Sequence, residues 1–430
     1  MLKCGVASKT ITPDHPVALG GFAARWGKKS TGVHDPIYVK AFYAANENDK
    51  LLMLFADVLE LKESILQPVK ERIRNELAMD KVSFSATHTH SAPHTCPQPQ
   101  LPVEEMDAAW IAYFQKQMFE AAKEALENTF PAKIGYGTIP VPEIARNRRV
   151  GHTITDPTLS VLRADDLDGN TRWILVSYAC HCTVLDGNSF LVSSDYPGYL
   201  YQYVQHVYPN SICAFANGCC GDINIGYSAD ASALGEAMDI RTFENAERIG
   251  NLLGARAVAC ANELQMQENV LVDLREHRIS LPLRKNRPSE AAIREEIHCL
   301  DEQIKTCSDP DTQKERMLSK IYQQCILEGL HGIAPSQTEI QIQVDFVRFG
   351  KRLYVMTPGE LFTEPGLAIK ELLSETNDPI VLGYSNGHVG YIPSKGAMLE
   401  GGYECETSVF AVNVADELLS QIALAYRTDL

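Results

Sequence analysis

A chain of 430 residues, of which 45% are hydrophobic, is long enough to fold around one large core or two smaller ones. Its 39 lysine and arginine residues are outnumbered by 55 aspartate and glutamate residues, which leaves a formal net charge of −16. Such a chain lacks the clustered positive charge that a nucleic-acid backbone requires, so we expect no nucleic-acid partner.

The beginning of the chain and its apolar stretches bear on where the protein works. Residues 1–7 run straight into strand-like sequence, without a charged segment followed by an apolar one, so no secretion signal is expected. No apolar stretch approaches the ~18 residues that a membrane-spanning helix needs, because Asp57 interrupts the longest candidate. We therefore expect a cytoplasmic protein without a membrane span.

The 12 cysteines are expected to stay reduced in that compartment and to pack as small buried side chains. Two clusters, Cys180-His181-Cys182 and Cys219-Cys220, raise the alternative of a cysteine-histidine zinc site. Neither has the CxxC spacing of a structural zinc knuckle, so packing of the thiols is the favoured interpretation. No disulfides are predicted.

Short apolar runs alternate with segments of helical period along the chain. This pattern predicts an α/β fold, with a layered mixed β-sheet flanked by helices. The predicted strands cover residues 51–56, 82–89, 173–179, 211–216, 340–346 and 353–356. The predicted helices cover residues 104–128, 246–264 and 414–426.

Residues 288–331 differ from the rest, because they are charged and helix-forming and are interrupted by Ser308-Asp309-Pro310-Asp311. They predict a helical hairpin inserted between strands, whose charges solvate a face rather than bind a ligand. No linker rich in proline, glycine or serine divides the chain. Residues 1–430 are therefore expected to form a single domain that carries this insertion.

Several predicted strands end in side chains that can carry chemistry, namely Asp57, His88, His90, His181, Asp222 and Asn224. In open α/β sheets ligands collect beside the carboxyl ends of strands, so these groups could converge on one site. His88 and His90 would lie on the same face if their strand persists, close enough to address one cation. Two hydrogen-bonded histidines at a strand end are an equal alternative.

Other candidates are ambiguous when each is taken alone. His181 follows a very apolar strand and needs a metal or a hydrogen bond to satisfy its ring. Glu360 is the last residue of the predicted turn Thr357-Pro358-Gly359-Glu360 and would by itself be interpreted as an exposed carboxylate. The glycine-containing loop 217–224 could present backbone N–H groups to an oxyanion, or it could simply be a tight connection between a strand and a helix. The cluster of Arg146, Arg148 and Arg149 could bind a carboxylate or sulfate, or be a solvated surface.

Taken together and in order, a set of short motifs resembles the catalytic domain of the neutral/alkaline ceramidases. The motifs are Ala86-Thr87-His88-Thr89-His90-Ser91-Ala92-Pro93, Asn147-Arg148-Arg149, Ala179-Cys180-His181, Ser194-Asp195-Tyr196-Pro197-Gly198, Gly221-Asp222 and Pro358-Gly359-Glu360. Thr12-Pro13 and Gly20-Gly21 also look like that family. The likeness runs from about Gly5 to Tyr403, so residues 1–430 are interpreted as one ceramidase-like catalytic domain.

By this resemblance His88, His181 and Glu360 match the zinc ligands, His90 matches a second active-site histidine, and Arg148 matches an arginine beside the zinc. The resemblance thus implies a zinc-dependent hydrolase in which a metal-activated water attacks an amide carbonyl. His90 would move a proton to the leaving amine and stabilise the oxyanion.

The chain also departs from the family pattern. Asn224 stands where the family has a catalytic-loop serine, and it is expected at most to position substrate or donate to an oxyanion. Counting on from Gly390-Tyr391 places Met398 at the tyrosine that completes the zinc shell and Phe410 at another active-site tyrosine. No C-terminal immunoglobulin-like domain is expected.

These departures leave the substrate open, and ceramide itself is not expected to be that substrate. The leading hypothesis is an amidase acting on a small or amphiphilic molecule. An esterase or deacylase using the same metal-activated water is one alternative. The other is a catalytically silent binding protein that keeps the ceramidase fold.

Overall fold

The computed structural model describes residues 1–25, 27–47, 49–95 and 107–428. In chain order the strands are β1 (Lys3–Thr10), β2 (Gly32–Val33), β3 (Tyr38–Ala45), β4 (Lys50–Ala56), β5 (Val82–Ala86), β6 (Thr129–Pro140), β7 (Arg146–Asn147), β8 (Thr158–Asp166), β9 (Thr171–Tyr178), β10 (Leu191–Val192), β11 (Ile212–Asn217), β12 (Ile223–Asn224), β13 (Val272–Pro282), β14 (Glu339–Phe349), β15 (Arg352–Met356), β16 (Glu360–Leu361), β17 (Asp378–Leu382) and β18 (Tyr391–Ile392).

The helices are α1 (Glu63–Leu77), α2 (Ala108–Glu127), α3 (Tyr196–Val207), α4 (Ala229–Ala233), α5 (Phe243–Asn262), α6 (Glu290–Thr306), α7 (Pro310–Leu330), α8 (Thr363–Leu373), α9 (Lys395–Glu400), α10 (Tyr403–Thr407) and α11 (Val414–Thr428), and a short 3₁₀ helix covers Ala23–Arg25. The helix predicted over residues 104–128 is α2, which begins after Asp107, whose side chain accepts from the backbone N–H of Trp110. Residues 104–106 of that prediction lie outside the described residues. None of the helices in the described ranges is long and apolar enough to cross a membrane.

The longer strands form two mixed sheets. The large sheet has eight strands in the order β11-β9-β8-β6-β1-β3-β4-β5, and the small sheet has four in the order β13-β14-β15-β17. In the large sheet, β4 and β5 are parallel, as are β9 and β11, and the other neighbours are antiparallel. The predicted mixed α/β fold is confirmed, although a second sheet was not anticipated.

The sheets pack face to face, with helices outside each. Strand β4 shows why its sequence is apolar without alternation: Leu52 and Leu54 point into a core shared with α1, α2, α3 and α5. Leu51, Met53 and Phe55 point the other way, into an apolar layer that also contains residues of β13, β14, β15 and β17. The outer face of the small sheet packs on α8 and α11. The molecule is thus layered helix, sheet, sheet, helix.

The predicted insertion is confirmed as the hairpin of α6 and α7, between β13 and β14. Ser289 caps α6 and Asp309 caps α7, where Pro310 occupies the first turn. Ile293 and Leu327 anchor the hairpin in the core on the outer face of the small sheet. The described residues form no separate immunoglobulin-like sandwich beside these layers.

Candidate metal centre

The ends of several strands meet at one place beside the large sheet. β5 and β11 are its two edge strands, yet Asn217 at the end of β11 donates from its side chain to the carbonyl of Thr87, just after β5, at 3.0 Å. His88 therefore lies near the end of β11 as well as β5. His181, which follows β9, reaches the same place, and Glu360 reaches it from the first position of β16.

His88 is held in an unusual backbone conformation. β5 ends at Ala86, and His88 has φ of 65°, in the left-handed region that β-strands do not use. The strand predicted to continue to residue 89 is therefore too long, so a shared strand face is not what brings His88 and His90 together. The backbone N–H of His88 donates to Val58 at 3.0 Å, which fixes this turn.

The ring orientations of His88 and His181 are set by backbone carbonyls. Nδ1 of His88 lies 2.8 Å from the carbonyl oxygen of Leu59, and Nδ1 of His181 lies 2.9 Å from that of Ile223. A carbonyl can only accept, so both Nδ1 atoms carry the hydrogen and both Nε2 atoms, when the rings are neutral, present a lone pair. A histidine that binds a metal typically has this support.

Both lone pairs converge on a carboxylate. Nε2 of His181 lies 3.1 Å from Oε2 of Glu360, and Nε2 of His88 lies 3.5 Å from the same oxygen. Acceptor faces acceptor in these contacts, and such an arrangement is favourable only if a cation or a shared proton lies among them. The donor set therefore fits a metal ion such as zinc.

His90 completes a compact group. Its Nε2 lies 3.1 Å from Nε2 of His88, and one ring nitrogen each of His88, His90 and His181 lie within 4.8 Å of one another. We call these three residues the histidine cluster. Nδ1 of His90 is buried and has no hydrogen-bond partner among the described residues. The structure thus brings all four predicted residues together, with His90 as close to the others as a ligand would be.

Burial sets the charge state of this site. It lowers the pKa of His88 to about 3, and lowers that of His90 well below its ordinary value. Burial alone would raise the pKa of Glu360, but the neighbouring His88 and His181 outweigh it and lower the pKa to about 2. Near neutral pH His88 and His90 are therefore neutral and Glu360 is ionised, the forms that bind a metal.

Tyr384, which the sequence analysis missed, closes one side of the site. Its ring stacks on His88 with 4.1 Å between ring centroids, and its hydroxyl donates to Oε2 of Glu360 at 3.4 Å. Cys220 lies 3.2 Å from the same hydroxyl. The only sequence feature that could have indicated Tyr384 is its place after the buried strand β17, where a tyrosine is as easily interpreted as core.

Arg148 reaches the site through a tyrosine. Its guanidinium pairs with Glu404 at 2.7 Å and donates to the hydroxyl oxygen of Tyr391 at 3.1 Å. Arg148 and Glu404 are both buried, so this is an internal ion pair rather than the solvated cluster that was the alternative. Because Arg148 occupies a lone pair of Tyr391, the hydroxyl hydrogen of Tyr391 is free to be donated elsewhere.

That Met398 and Phe410 occupy tyrosine positions of the family stays a prediction. Met398 packs against a small apolar group that includes Ala397 and Cys405, whereas Tyr403 lines the cavity that contains Glu360. Phe410 is fully buried beside the small sheet and pairs with Leu283.

Three other candidates do not join the histidine cluster. Asn224 uses both ends of its amide in its own turn: Oδ1 accepts from the backbone N–H groups of Gly226 and Tyr227, and Nδ2 donates to the carbonyl of Tyr227. An oxyanion donor at Asn224 is therefore not supported by its contacts. Asp57 binds Tyr201, and Asp222 binds Asn147 and Thr363, so both carboxylates hold the surrounding loops together.

The site opens into a cavity of about 710 Å³. His88, His90 and Glu360 lie in its wall together with Tyr391 and Tyr403. A second part of the wall consists of Leu59, Glu60, Lys62, Glu63 and Ser64. A third part comes from α7, where Ile321, Cys325 and Gly329 are joined by the charged Glu328. The hairpin therefore does more than expose charge, because it walls the cavity above the candidate metal site.

The cysteines that the structure describes are all free thiols. Cys180 and Cys182 flank His181 but are buried, and burial raises the pKa of both thiols. Among the described residues the histidine cluster is the group that meets the geometric condition for holding a metal, and no cysteine belongs to it. The packing interpretation of the thiols is thus favoured over a cysteine-histidine zinc site.

Fold and site together define a class of α/β proteins with a buried histidine-carboxylate cluster at the end of a sheet. A sequence profile described as "Neutral/alkaline non-lysosomal ceramidase, N-terminal" matches residues 3–232, which is more than half of the chain. The chain belongs to this family. The matched part includes the histidine cluster, whereas Glu360 lies beyond it.

Similar proteins agree with this assignment. A neutral ceramidase of Drosophila melanogaster is 25% identical over 322 residues, covering 62% of this chain and 45% of the relative. A neutral ceramidase of Drosophila pseudoobscura pseudoobscura is 26% identical over 257 residues, covering 52% of this chain and 36% of the relative. The chain thus spans less than half the length of these curated relatives. The crystal structure of neutral ceramidase from Pseudomonas aeruginosa superposes with a TM-score of 0.76 at 19% identity, covering 100% of this chain and 75% of that one, which shows a shared fold.

Proposed function

We propose that this protein is a zinc-dependent hydrolase that cleaves an amide bond in an amphiphilic molecule. One observation carries the proposal. His88 and His181 each use Nδ1 to donate to a backbone carbonyl, and their Nε2 atoms both face Oε2 of Glu360. This arrangement calls for a cation. Family membership and the adjoining cavity support a hydrolytic use of that cation.

His88, His181 and Glu360 would hold the zinc, and His90 lies where it could join them or face the substrate. When bound, zinc supplies Lewis-acid chemistry, which acidifies water and polarises a carbonyl group. The carbonyls of Leu59 and Ile223 keep both ligand rings in the binding tautomer. The loop that contains Asn224 thus contributes through the carbonyl of Ile223, which orients His181, rather than through the Asn224 side chain.

The remaining chemistry falls to neighbouring side chains. His90 is neutral because burial lowers its pKa, so it can accept a proton and pass it to a leaving amine. Tyr391, held by Arg148, has its hydroxyl hydrogen available for the oxygen on which negative charge develops. Arg148 would thus stabilise the transition state through Tyr391. This role replaces the oxyanion contact expected of Asn224.

The substrate is proposed from the cavity wall. The apolar residues of α7, Ile321, Cys325 and Gly329, suit an alkyl chain, and Glu60, Lys62, Glu63 and Ser64 suit a polar group. The relatives are named neutral ceramidases, but we keep the prediction that long-chain ceramide is a poor substrate. A cytoplasmic location and a single catalytic domain over residues 1–430 also stay predictions.

The test begins with metal analysis of the purified chain, followed by a panel of matched N-acyl and O-acyl compounds of several chain lengths that includes ceramide. We expect about one zinc per chain, cleavage of amides, loss of activity with a chelator and recovery with zinc. His206→Ala, at an exposed position of α3, is the matched histidine control. Cleavage of esters alone would favour the deacylase alternative. A folded chain that binds no zinc and cleaves neither set would refute the proposal and favour the silent binding protein.

A further inference from the structure

A second buried polar pair lies in the wall of the cavity, outside the candidate metal centre. Nε2 of His388 lies 2.9 Å from Oε2 of Glu60, and only 9% and 4% of the two side chains are exposed. Lys62 approaches the other carboxylate oxygen of Glu60 at 3.5 Å. All three residues line the cavity that His88 and Glu360 also line. The mechanism proposed above uses none of them.

The contact with Glu60 decides which nitrogen of His388 carries hydrogen. An ionised carboxylate only accepts hydrogen bonds, so Nε2 of His388 donates to Glu60. Nδ1 of a neutral His388 is then an acceptor. This atom is buried and has no hydrogen-bond partner among the described residues. A buried acceptor without a donor is unfavourable, and a ligand that brings a donor would relieve it.

The pair is also connected to the candidate metal centre. Leu59, whose carbonyl orients the ring of His88, directly precedes Glu60 in the chain. His388 belongs to the loop after β17 that also carries Tyr384, the tyrosine that stacks on His88. A molecule that occupies the cavity and reaches the histidine cluster therefore passes close to His388. The wall from α7 is apolar apart from Glu328, so the polar end of such a molecule has partners among His388 and the polar residues Glu60, Lys62, Glu63 and Ser64.

We propose that Glu60 and His388 form a binding subsite for a hydroxyl or N–H group at the polar end of an amphiphilic substrate. Glu60 fixes the ring of His388 so that Nδ1 accepts the hydrogen bond from the substrate. The subsite rests on the proposed function, because it adds the class of substrate to the same cavity. The pair acts in binding and orientation, and it distinguishes substrates by one hydrogen-bond donor.

The experiment uses ligands that the chain cannot hydrolyse. N-(octylsulfonyl)ethanolamine has one N–H and one O–H donor, and its O-methyl and N-methyl derivatives each lack one of them. Dissociation constants are measured by calorimetry with the zinc-loaded chain of residues 1–430. We expect the parent compound to bind about 5-fold to 10-fold tighter than the derivative that lacks the recognised donor, the usual effect of one hydrogen bond.

Variants then assign that preference to His388. His388→Phe should bind all three ligands alike, and His388→Asn, which keeps an acceptor near the position of Nδ1, should recover part of the preference. His331→Phe removes another histidine of the same cavity wall and should keep it. Zinc content and the unfolding midpoint of each variant show that the chain is folded.

Equal binding of the three ligands by the native chain would overturn the subsite, and so would a preference that survives in His388→Phe. Because sulfonamides are not cleaved, the result does not depend on turnover. An active amidase without the preference refutes the subsite alone. An inactive chain with the preference supports the subsite and refutes only the proposed reaction.

Discussion

Two buried polar clusters lie near β5, and they differ in how their hydrogen bonds are arranged. At the histidine cluster, Nε2 of His88 and of His181 both face an oxygen of Glu360, so acceptors meet acceptors. The other cluster, which we call the Asp345 cluster, consists of Asp345 and three donors to it: the hydroxyl of Ser83 and the amides of Gln343 and Asn386.

The contrast shows how a functional cluster can be told from a structural one. In the Asp345 cluster, three donors surround one carboxyl group and no cation is needed, so the cluster ties β5 to β14 and to the loop after β17. Asn386 strengthens this connection with two further hydrogen bonds. Its Oδ1 accepts from the backbone N–H of Phe84, and its own backbone N–H donates to the carbonyl of Phe84. At the histidine cluster acceptors face one another, and this is favourable only with a cation or a shared proton among them. Burial alone does not distinguish the two sites, but the balance of donors and acceptors does.

The largest effect on metal binding is expected from removing one ligand of the histidine cluster. His88→Ala or His181→Ala should reduce zinc from about one per chain to nearly none, because each takes away a main protein ligand. Asp345→Asn is the matched control, since it alters a buried polar cluster that needs no cation, and it should keep its zinc. Mass spectrometry of the purified variants gives the metal content. Full zinc in both alanine variants would mean that the metal assignment is wrong.

A smaller effect is expected from displacing His90 without removing it. Gly21 has φ of 97°, and a Cβ added there would overlap the imidazole ring of His90. Arg25 donates to the carbonyls of Gly20 and His90, so the two segments cannot easily separate. Because Nε2 of His90 lies 3.1 Å from Nε2 of His88, a displaced His90 ring disturbs this ligand. Gly21→Ala should therefore weaken zinc binding by about 10-fold to 100-fold, the range for losing a group that supports a metal ligand.

Gly169→Ala controls for backbone strain. Gly169 has φ of 86°, but an added Cβ there meets nothing within 4 Å. Both variants should lose similar stability from the left-handed conformation, and only Gly21→Ala should lose zinc affinity. Equal zinc affinity in the two variants, measured by competition with a chelator, would show that the position of His90 does not matter for the metal.

Much of this arrangement followed from the sequence, and the failures have identifiable causes. The hairpin was predictable because Ser308 to Asp311 contains a strong cap and a proline, which act locally. The second sheet was not, because a strand such as β4, buried on both faces, has the same apolar run whether helices or strands cover it. Periodicity does not report what packs on a face.

The site was predicted in the same uneven way. Motif order brought out His88, His181 and Glu360, which the structure places in contact, although their role as ligands stays a prediction. Asn224 was chosen because it occupies a serine position, yet its amide is bound by its own turn. Tyr384 was missed, since its position depends on Asn386 and Asp345, which lie far apart in sequence. Residue identity predicted the ligands, but only packing determines what surrounds them.

A third prediction concerns acid, where protons compete with the metal for Nε2. Burial lowers the pKa of His88 from an ordinary 6.5 to about 3, so protonation in the folded state requires pH values near 3. The chain should therefore keep most of its zinc at pH 5. The stability that the neutral ring contributes is fully present above 6.5 and is lost as the pH falls through 3. Dialysis over a series of pH values, with zinc and far-UV circular dichroism measured together, tests this. Half of the zinc lost near pH 6.5 with the fold intact would contradict it.

The smallest effect on the metal, and the one that sharpens the comparison most, is expected at Asp345. Burial raises the pKa of Asp345 from an ordinary 3.8 to about 7, so the folded state holds its proton more strongly than the unfolded state does. A raised pKa contributes stability that is fully present below pH 3.8 and is lost as the pH rises through 7, a contribution of up to about 4 kcal/mol.

Asp345→Asn removes this titration. Its unfolding free energy, measured by urea at pH 5 and pH 8, should fall less with pH than that of the native chain, while its zinc content stays unchanged. Asp80→Asn, at an exposed aspartate, should retain the native pH dependence. If Asp345→Asn instead lost its zinc, the cluster would be part of the metal centre, and the distinction drawn here between a self-satisfied cluster and one that needs a cation would fail.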